Sequence, residues 1–196
     1  MATLFADLLS DIYDITKRPD LEAETKLAIR MATLKLHHSD FYPQDLKEAG
    51  FTWNTPAYIQ SLEYKKVFPD FRALKYLRKV SSGTPTTFFK LIPPELVLDS
   101  YGRDKNDVCY LAGRMIEIRS SSQDSDMIIG YYADPIVTES GYSSWIADNA
   151  SHVIVMESAS VIFKMIGFDE QAAMFNKLVD QGVAELRVNY LTGAGY

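Results

Sequence analysis

The sequence predicts an α+β protein, mainly α, in which helices from both ends of the chain form a bundle around an inserted small antiparallel β region. Apolar residues recur every three or four positions near both ends, and short runs rich in Ile, Val, Phe, Tyr and Thr occupy the middle. The 196 residues are 47% hydrophobic, which suffices for one core. We therefore predict a single domain, 1–196, with a helical part at 1–50, a β-rich insertion at 56–135, a helical part at 143–190 and a flexible tail at 191–196.

Two helices are predicted in the N-terminal part. Apolar residues spaced by four, four and three positions form the stripe of an amphipathic helix, namely Leu4, Leu8, Ile12 and Ile15. Pro19 interrupts that helix, and Asp20 is the predicted N-cap of the second. The predicted buried face of the second helix is Leu21, Ala28, Ala32 and Leu36. Pro43 ends this region or begins a short third turn over 44–49, and Gly50 follows as a stop.

The middle of the chain contains five segments with the composition of strands, each bounded by Gly, Pro, Asp or Ser. They are 58–65, 86–92, 108–111, 115–119 and 127–132. The pair Ala112-Gly113 between two of them predicts a tight hairpin turn. The segment 71–80 is compatible with either a strand or a helix.

Helical periodicity returns after Pro135. A three-to-four spacing connects Val153, Met156, Ala159, Phe163 and Ile166. Gly167 is a natural stop for this helix, and Asp169 is predicted to cap the last one. The apolar stripe of the last helix is Ala172, Phe175, Val179, Val183, Leu186 and Tyr190. The segment 192–196 has two glycines and no periodicity, which predicts a mobile tail.

Composition limits the classes of function. Twenty Lys and Arg against 26 Asp and Glu give a net charge of −6, the opposite sign to a protein that binds DNA by neutralising phosphates. Cys109 is the single cysteine and cannot form an intramolecular disulfide. The N-terminus lacks the pattern of a signal peptide, and no segment approaches the ~20 apolar residues of a membrane span. We expect a soluble protein without a membrane partner.

A search for chemistry finds no phosphate-binding glycine loop, nucleophile elbow or paired-cysteine zinc spacing. His37 and His38, with Asp40 nearby, are the best metal candidates. Adjacent helical residues project about 100° apart, so a solvated helix end is the favoured interpretation. We assign His152 to capping or packing and Cys109 to a buried, inert thiol.

Two further groups of residues are candidates for a function. The acidic pairs Glu22/Glu24 and Asp169-Glu170 could supply the acid and base of a glycosidase, but the helix dipole already favours acidic residues at those positions. A mildly basic set with interleaved tyrosines could bind nucleic acid, although an exposed sheet face has the same composition. This set is Lys75, Arg78, Lys79, Arg114 and Arg119, with Tyr76 and Tyr110. We predict no catalytic site, no cofactor and no metal, and hence no enzyme.

Short segments distributed in order along nearly the whole chain resemble one protein family. They include TKRPDL at 16–21, Ala28, Ala32-Thr33, HSDFY at 38–42, FPDFR at 68–72, DSYG at 99–102, YLAG at 110–113, IRSS at 118–121, GYYADP at 130–135, SWIAD at 144–148 and FKMIGFDEQAA at 163–173. None is a chemical motif, so the resemblance depends on their order and spacing. The chain resembles the head-to-tail adaptor, or connector, proteins of short-tailed bacteriophages.

This resemblance implies a structural virion protein that forms a ring of roughly twelve copies. The ring would attach the tail to the portal and extend the DNA channel used in DNA ejection. The implied partners are the portal protein, tail nozzle or fibre proteins, other copies of the chain, and passing phage DNA without sequence-specific binding. The implied location is the head–tail junction of the virion, after assembly in the bacterial host cytoplasm.

Tyrosine offers a large contact area and a hydrogen bond at small entropic cost, and this chain has 12 tyrosines. We expect partner contacts in the Tyr-rich loops and in a tail that becomes ordered on docking to the portal or to a neighbouring copy. The candidate partner-binding residues are Tyr131, Tyr132, Tyr142, Trp145, Leu191 and Tyr196. Two other classes stay open, a virion-associated enzyme that degrades the cell wall and a small cytosolic binding protein.

Overall fold

The chain is described here by a computed structural model. The described residues are 3–53, 58–81, 84–100, 102–103, 105–121 and 125–191. The chain divides into two compact units. The helical unit comprises the described residues of Met1–Asp45 and Asp134–Tyr196, and the sheet unit comprises those of Leu46–Ala133.

Five α-helices and seven β-strands lie within the described ranges. The helices are α1 (Phe5–Thr16), α2 (Glu22–His37), α3 (Tyr64–Val67), α4 (Trp145–Met165) and α5 (Asp169–Tyr190). The strands are β1 (Leu46–Trp53), β2 (Ile59–Glu63), β3 (Phe71–Ser81), β4 (Thr84–Leu91), β5 (Val108–Ala112), β6 (Met115–Arg119) and β7 (Ser125–Ala133). None of the described helices combines the length and the apolar character required to cross a membrane.

The helical unit packs α1, α2 and α5 against α4. Its core is built from the apolar stripes of these helices and includes Leu8, Ile12, Ile29, Leu36, Ile146, Ile154, Val179 and Leu186. Ser144 is the N-cap of α4 and accepts the Ala147 N–H at 3.2 Å. Gly182 of α5 lies against Val153 of α4, so a side chain at 182 would collide with it. This contact brings α4 and α5 close together.

The sheet unit contains one curled sheet with the strand order β1-β7-β3-β4-β5-β6-β2. All neighbouring strands are antiparallel except β4 and β5, which pair in parallel through Lys90–Val108 and Leu91–Cys109. Its core includes Phe68, Phe71, Leu77, Phe89, Cys109, Ile116, Ile118, Met127 and Ile129. The β5–β6 hairpin turns at Gly113, whose φ of 60° lies in the left-handed region, and this confirms the predicted turn.

The predicted fold class, a mainly α helical bundle with a small antiparallel β region, is wrong. The sheet is a seven-stranded, mixed, curled sheet that forms a compact unit of its own. The residues of β1 have local helical or turn propensity, and their pairing with β7 makes them a strand. The parallel β4–β5 pair depends on a long crossover, which short-range sequence patterns do not reveal.

Individual elements show the same contrast between local and distant information. The ambiguous segment 71–80 falls in β3, and the predicted third turn over 44–49 is mostly β1, preceded by the 3-10 turn Pro43–Asp45. The backbone places the N-cap of α2 at Leu21 instead of Asp20. The N-cap of α5 is Phe168, so Asp169 is the first helical residue and not the cap.

Candidate functional site

The two adjacent tyrosines of β7 point to opposite faces of the sheet. Tyr131 is buried in the core, where its ring stacks on Phe71 at 5.4 Å and its hydroxyl donates to Asp70 Oδ1 at 3.0 Å. Burial, together with the hydrogen bond and charge of Asp70, raises the pKa of Tyr131 to about 12. Tyr132 lies on the outer face, with Arg72 and Lys75 over its ring at 5.7 and 5.8 Å.

The other candidate partner-binding residues belong to the helical unit. The Tyr142 hydroxyl lies 2.8 Å from Thr33 Oγ1, and burial raises its pKa. Trp145 donates from Nε1 to Asp45 Oδ1 at 2.8 Å, and Leu191 packs against the helical core. Tyr196 lies outside the described residues, as does most of the predicted tail. The other five candidates all have contacts within the fold, and the binding role of all six stays a prediction.

The C-terminal end of α2 contains a buried hydrogen-bond network, which contradicts the expectation of a solvated helix end for His37. His37 is 1% exposed. Its Nδ1 lies 2.7 Å from Asp45 Oδ1, and its Nε2 lies 2.9 Å from Ser144 Oγ. Because Trp145 donates to the same carboxylate oxygen, the network ties the end of α2 to the 3-10 turn and to the start of α4.

The order of contacts in this network is that of a Ser-His-Asp catalytic triad. Such a triad works only if the serine hydroxyl can reach a substrate. Ser144 is 3% exposed, and its Oγ accepts the Ala147 N–H as a helix cap. The geometry therefore supports a structural role, in which the His37 imidazole holds the nearby 3-10 turn and the distant start of α4 at the end of α2.

The partners of His38 and Asp40 differ from those of His37. His38 Nε2 lies 2.7 Å from Asp134 Oδ1, at the residue where the chain returns to the helical unit. Asp40 forms an ion pair with Arg187 at 3.3 Å. Hence the three predicted metal candidates do not converge, and no group of three or more potential ligands occurs in the described part of the chain.

The outer face of the sheet is the strongest candidate for a binding surface. We define it by seven residues of β3, β4 and β7: Arg72, Lys75, Tyr76, Arg78, Phe88, Lys90 and Tyr132. Phe88 pairs with Arg78 across the β3–β4 register and is 63% exposed. Tyr76 crosses above Gly130, where the absence of a side chain gives its ring room, and its hydroxyl donates to Glu48.

The electrostatics of the outer face are predominantly positive. Lys75 and Lys90 are exposed, and neither has an ion-pair partner among the described residues. Arg78 forms an ion pair with Glu48 at 3.1 Å. A large exposed aromatic ring surrounded by cations is typical of a surface that binds a partner, because aromatic residues and arginine are enriched in interfaces.

The remaining sequence candidates are scattered. Lys79 is buried and forms an ion pair with Asp107 at 3.2 Å, so it is not part of the outer face. Arg114 is exposed in the β5–β6 turn, and His152 is exposed on α4. Cys109 is buried, which confirms the prediction of a buried thiol, and burial raises its pKa to about 12.

Charge is segregated between the two units. The helical unit has eight Lys and Arg against 16 Asp and Glu, a net charge of −8. The sheet unit has 12 against 10, a net charge of +2. The acidity of the whole chain therefore conceals a sheet unit of the opposite sign.

No protein-family model matches the chain, and no curated protein matches it.

Sequence reasoning assigned Lys75, Tyr76 and Arg78 to a basic set but did not find Phe88 as their neighbour. The available signal was the alternation Phe88, Phe89, Lys90 in a predicted strand, because alternate residues of a strand face opposite sides. Which strand lies beside β4 required the structure.

Proposed function

We propose that this chain is a structural virion protein, a head-to-tail adaptor subunit that forms a ring of roughly twelve copies between the portal and the tail. The ordered resemblance along nearly the whole chain carries this proposal. In this role the chain attaches the tail to the portal, extends the DNA channel and performs no catalysis. Its partners are the portal protein, tail nozzle or fibre proteins and its own copies.

Two observations support the proposal physically. A closed ring needs a heterologous interface, in which two different surfaces of each copy meet. The chain has two surfaces of different chemistry, an acidic helical unit and a cationic, aromatic outer face on the sheet unit. The burial of Ser144 favours a structural role for the network that resembles a catalytic triad.

Electron microscopy of the purified chain mixed with the portal protein of the same phage tests the proposal. We expect a second ring stacked on the portal. A monomeric chain in isolation is compatible with the proposal, because such rings can form only on their partner. A portal that remains bare at saturating concentrations of the chain would contradict it.

The predicted tail docking has its own test. Leu191 packs at the end of α5 and the Tyr190 ring packs on Trp145 at 4.9 Å, so truncation after Asn189 removes the tail and both contacts. We expect weaker portal binding by the truncated chain, and unchanged affinity would refute a role for the tail. The variant Tyr190→Ala with Leu191→Ala serves as the control for the two lost contacts.

The absence of catalysis is tested separately, by release of soluble fragments from purified bacterial cell walls. We expect no release by the wild-type chain. Release that disappears in Ser144→Ala or His37→Ala variants of verified fold would instead assign the buried network to a hydrolase.

A further inference from the structure

We infer that the outer face of the sheet binds helix α1 of a second copy of this chain, and that this contact is the ring interface. This inference rests on the proposed function and deepens it. It assigns the two meeting surfaces and their chemistry, an aromatic, cationic surface on one copy and an acidic helix on the next.

The outer face has the properties of an interface that lacks its partner in the single chain. Phe88 is 63% exposed, although removing an apolar ring from water is favourable. Lys90 is exposed two positions after Phe88 on the same face of β4, and Lys75 is exposed further along β3, over the Tyr132 ring at 5.8 Å. A partner that covers this face must therefore offer apolar contact for the ring and negative charge for the lysines.

Helix α1 offers both. Asp7, Asp11 and Asp14 are exposed and follow one another at spacings of four and three, so they line one face of the helix. Leu4, 62% exposed, and Ile15, 38% exposed, lie at the two ends of that stripe. The opposite face of α1 is buried in the helical core, which leaves the acidic face directed outward.

The length of α1 matches the length of the outer face along β3. The 12 residues of α1 span about 18 Å, at 1.5 Å per residue. The stretch of β3 from Arg72 to Arg78 spans about 20 Å, at roughly 3.3 Å per residue. A helix lying along the strands would thus contact the whole outer face.

Helices α2 and α5 also expose apolar residues, Leu27 and Met31 on α2 and Met174, Leu178 and Val188 on α5, but their charge fits less well. α2 contains three Lys and Arg against two Glu, and α5 contains two against four Asp and Glu, whereas α1 contains three Asp and no Lys or Arg. On α1, Lys17 follows the helix as its C-cap and already pairs with Asp14 at 3.7 Å. The acidic stripe of α1 is therefore the better complement of a cationic surface.

A nucleic acid is the competing partner for a face that combines cations with an aromatic ring. Several features favour a protein. Arg78 is paired with Glu48, and the rings of Tyr76 and Tyr132 are packed against neighbouring side chains, which leaves Phe88 as the exposed ring of this face. The net charge of the sheet unit is only +2, whereas the helical unit of every neighbouring copy carries −8.

The interface produces head-to-tail assembly. Because the two surfaces differ and lie on different units, each copy can bind one neighbour through its sheet and another through α1. Such a heterologous contact closes into a ring when the rotation between copies closes.

Charge exchange tests the pairing. The sheet variant is Lys75→Glu with Lys90→Glu, and the helix variant is Asp11→Lys with Asp14→Lys. In either variant alone, like charges face each other in every contact, whereas an equimolar mixture restores opposite charges in every contact between the two variants. Self-association is measured by sedimentation velocity at millimolar concentration and low salt, where screening is weak.

We expect the wild-type chain and the mixture to associate, and the association of each variant alone to be weaker by a factor of roughly ten or more. The matched control is Lys66→Glu with Arg114→Glu, which changes the charge of the same unit equally at exposed positions outside the outer face. This control should associate like the wild type. Phe88→Ser should also weaken association, and circular dichroism verifies that each variant is folded.

Three results would overturn the inference. They are a wild-type chain that stays monomeric, a mixture that associates no better than its components, and single-stranded oligothymidylate that binds the wild type but not the sheet variant. The proposed function is judged independently by the ring on the portal. If each variant alone forms that ring on the portal, the proposed function stands and this interface is wrong. If the mixture associates as expected but the wild-type chain leaves the portal bare, the contact between copies stands and the proposed function is wrong.

Discussion

The helical unit and the sheet unit differ in what their cores contain. Nine buried polar or charged residues lie in the described part of the helical unit: Thr16, Thr25, Thr33, His37, Asp45, Ser144, Glu157, Ser158 and Ser160. The described part of the sheet unit buries two, Lys79 and Ser120. A buried polar group is stable only with its hydrogen-bond partner, whereas apolar side chains tolerate exchange at similar volume. The helical core is therefore specified by particular partners, and the sheet core mainly by shape.

The largest expected effect comes from breaking the polar network of the helical unit. Asp45→Ala removes the acceptor of both His37 and Trp145 in a buried site. Because each buried donor left without an acceptor costs about 1–3 kcal/mol, the free energy of unfolding should fall by about 2–6 kcal/mol. Urea unfolding followed by circular dichroism measures it. The matched control is Asp134→Ala, which removes the partner of the half-exposed His38 and should cost about 0–1 kcal/mol. Equal losses in the two variants would contradict the importance of burial here.

In the sheet core, the cost of a substitution should follow the volume removed. Ile129 is fully buried, so Ile129→Ala should cost about 2–5 kcal/mol and Ile129→Val about 0.5–1.5 kcal/mol. Urea unfolding of the three chains measures the series. Phe88→Ala removes a larger but exposed side chain and should change stability by less than about 0.5 kcal/mol. A loss in Ile129→Val as large as in Ile129→Ala would show that shape is not the deciding factor.

Each unit also contains one glycine at a close crossing, and the two should respond differently. A Cβ added at Gly182 would lie 2.7 Å from Val153 Cγ2, which belongs to a buried, stiff β-branched side chain, so Gly182→Ala should cost about 1–3 kcal/mol. Gly130→Ala meets the far end of the Tyr76 ring, which is partly exposed and can swing away. Thermal unfolding should show a smaller loss of stability for Gly130→Ala than for Gly182→Ala, and the opposite ranking would contradict this account. The double variant Gly182→Ala with Val153→Ala should recover part of the stability that Gly182→Ala alone loses.

The last expected effect is an alkaline pH dependence contributed by the Cys109 thiol of the sheet unit. Burial raises the pKa of Cys109 from 9.0 to about 12. Because the folded-state pKa lies above that of the unfolded chain, the stabilising contribution is complete below pH 9 and is lost as the pH rises towards 12. Cys109→Ala should reduce the alkaline slope of the unfolding free energy by up to about 1.4 kcal/mol per pH unit. An unchanged slope would show that the thiolate is accommodated in the core.

Several features of the fold were predictable because their signals are local. The 3.6-residue periodicity that places Leu8 and Ile12 on one side of a helix is contained in a dozen consecutive residues. The left-handed turn at Gly113 likewise depends on one residue and its two β-prone flanks. These predictions needed no knowledge of distant segments.

The candidate site was less predictable, because its residues come from different strands. Sequence reasoning grouped Lys79 with Lys75 and Arg78, but β3 turns Lys79 inward to Asp107. It also regarded His37 as solvated, whereas Asp45 and Ser144 enclose it. Alternation along a strand or helix predicts that two faces exist, but the packing partners decide which face is buried.

The sequence by itself determined where the terminal helices lie, the β-prone segments, the hairpin turn and the buried cysteine without a disulfide partner, because each depends on short-range propensity and periodicity. Only the tertiary structure decided that β1 is a strand, that β4 and β5 run parallel, and that Phe88 lies among cations on the outer face. It also decided that the acidic residues dominate one unit and the cations the other. These features arise from pairings between segments far apart in the chain, and local residue preferences do not encode them.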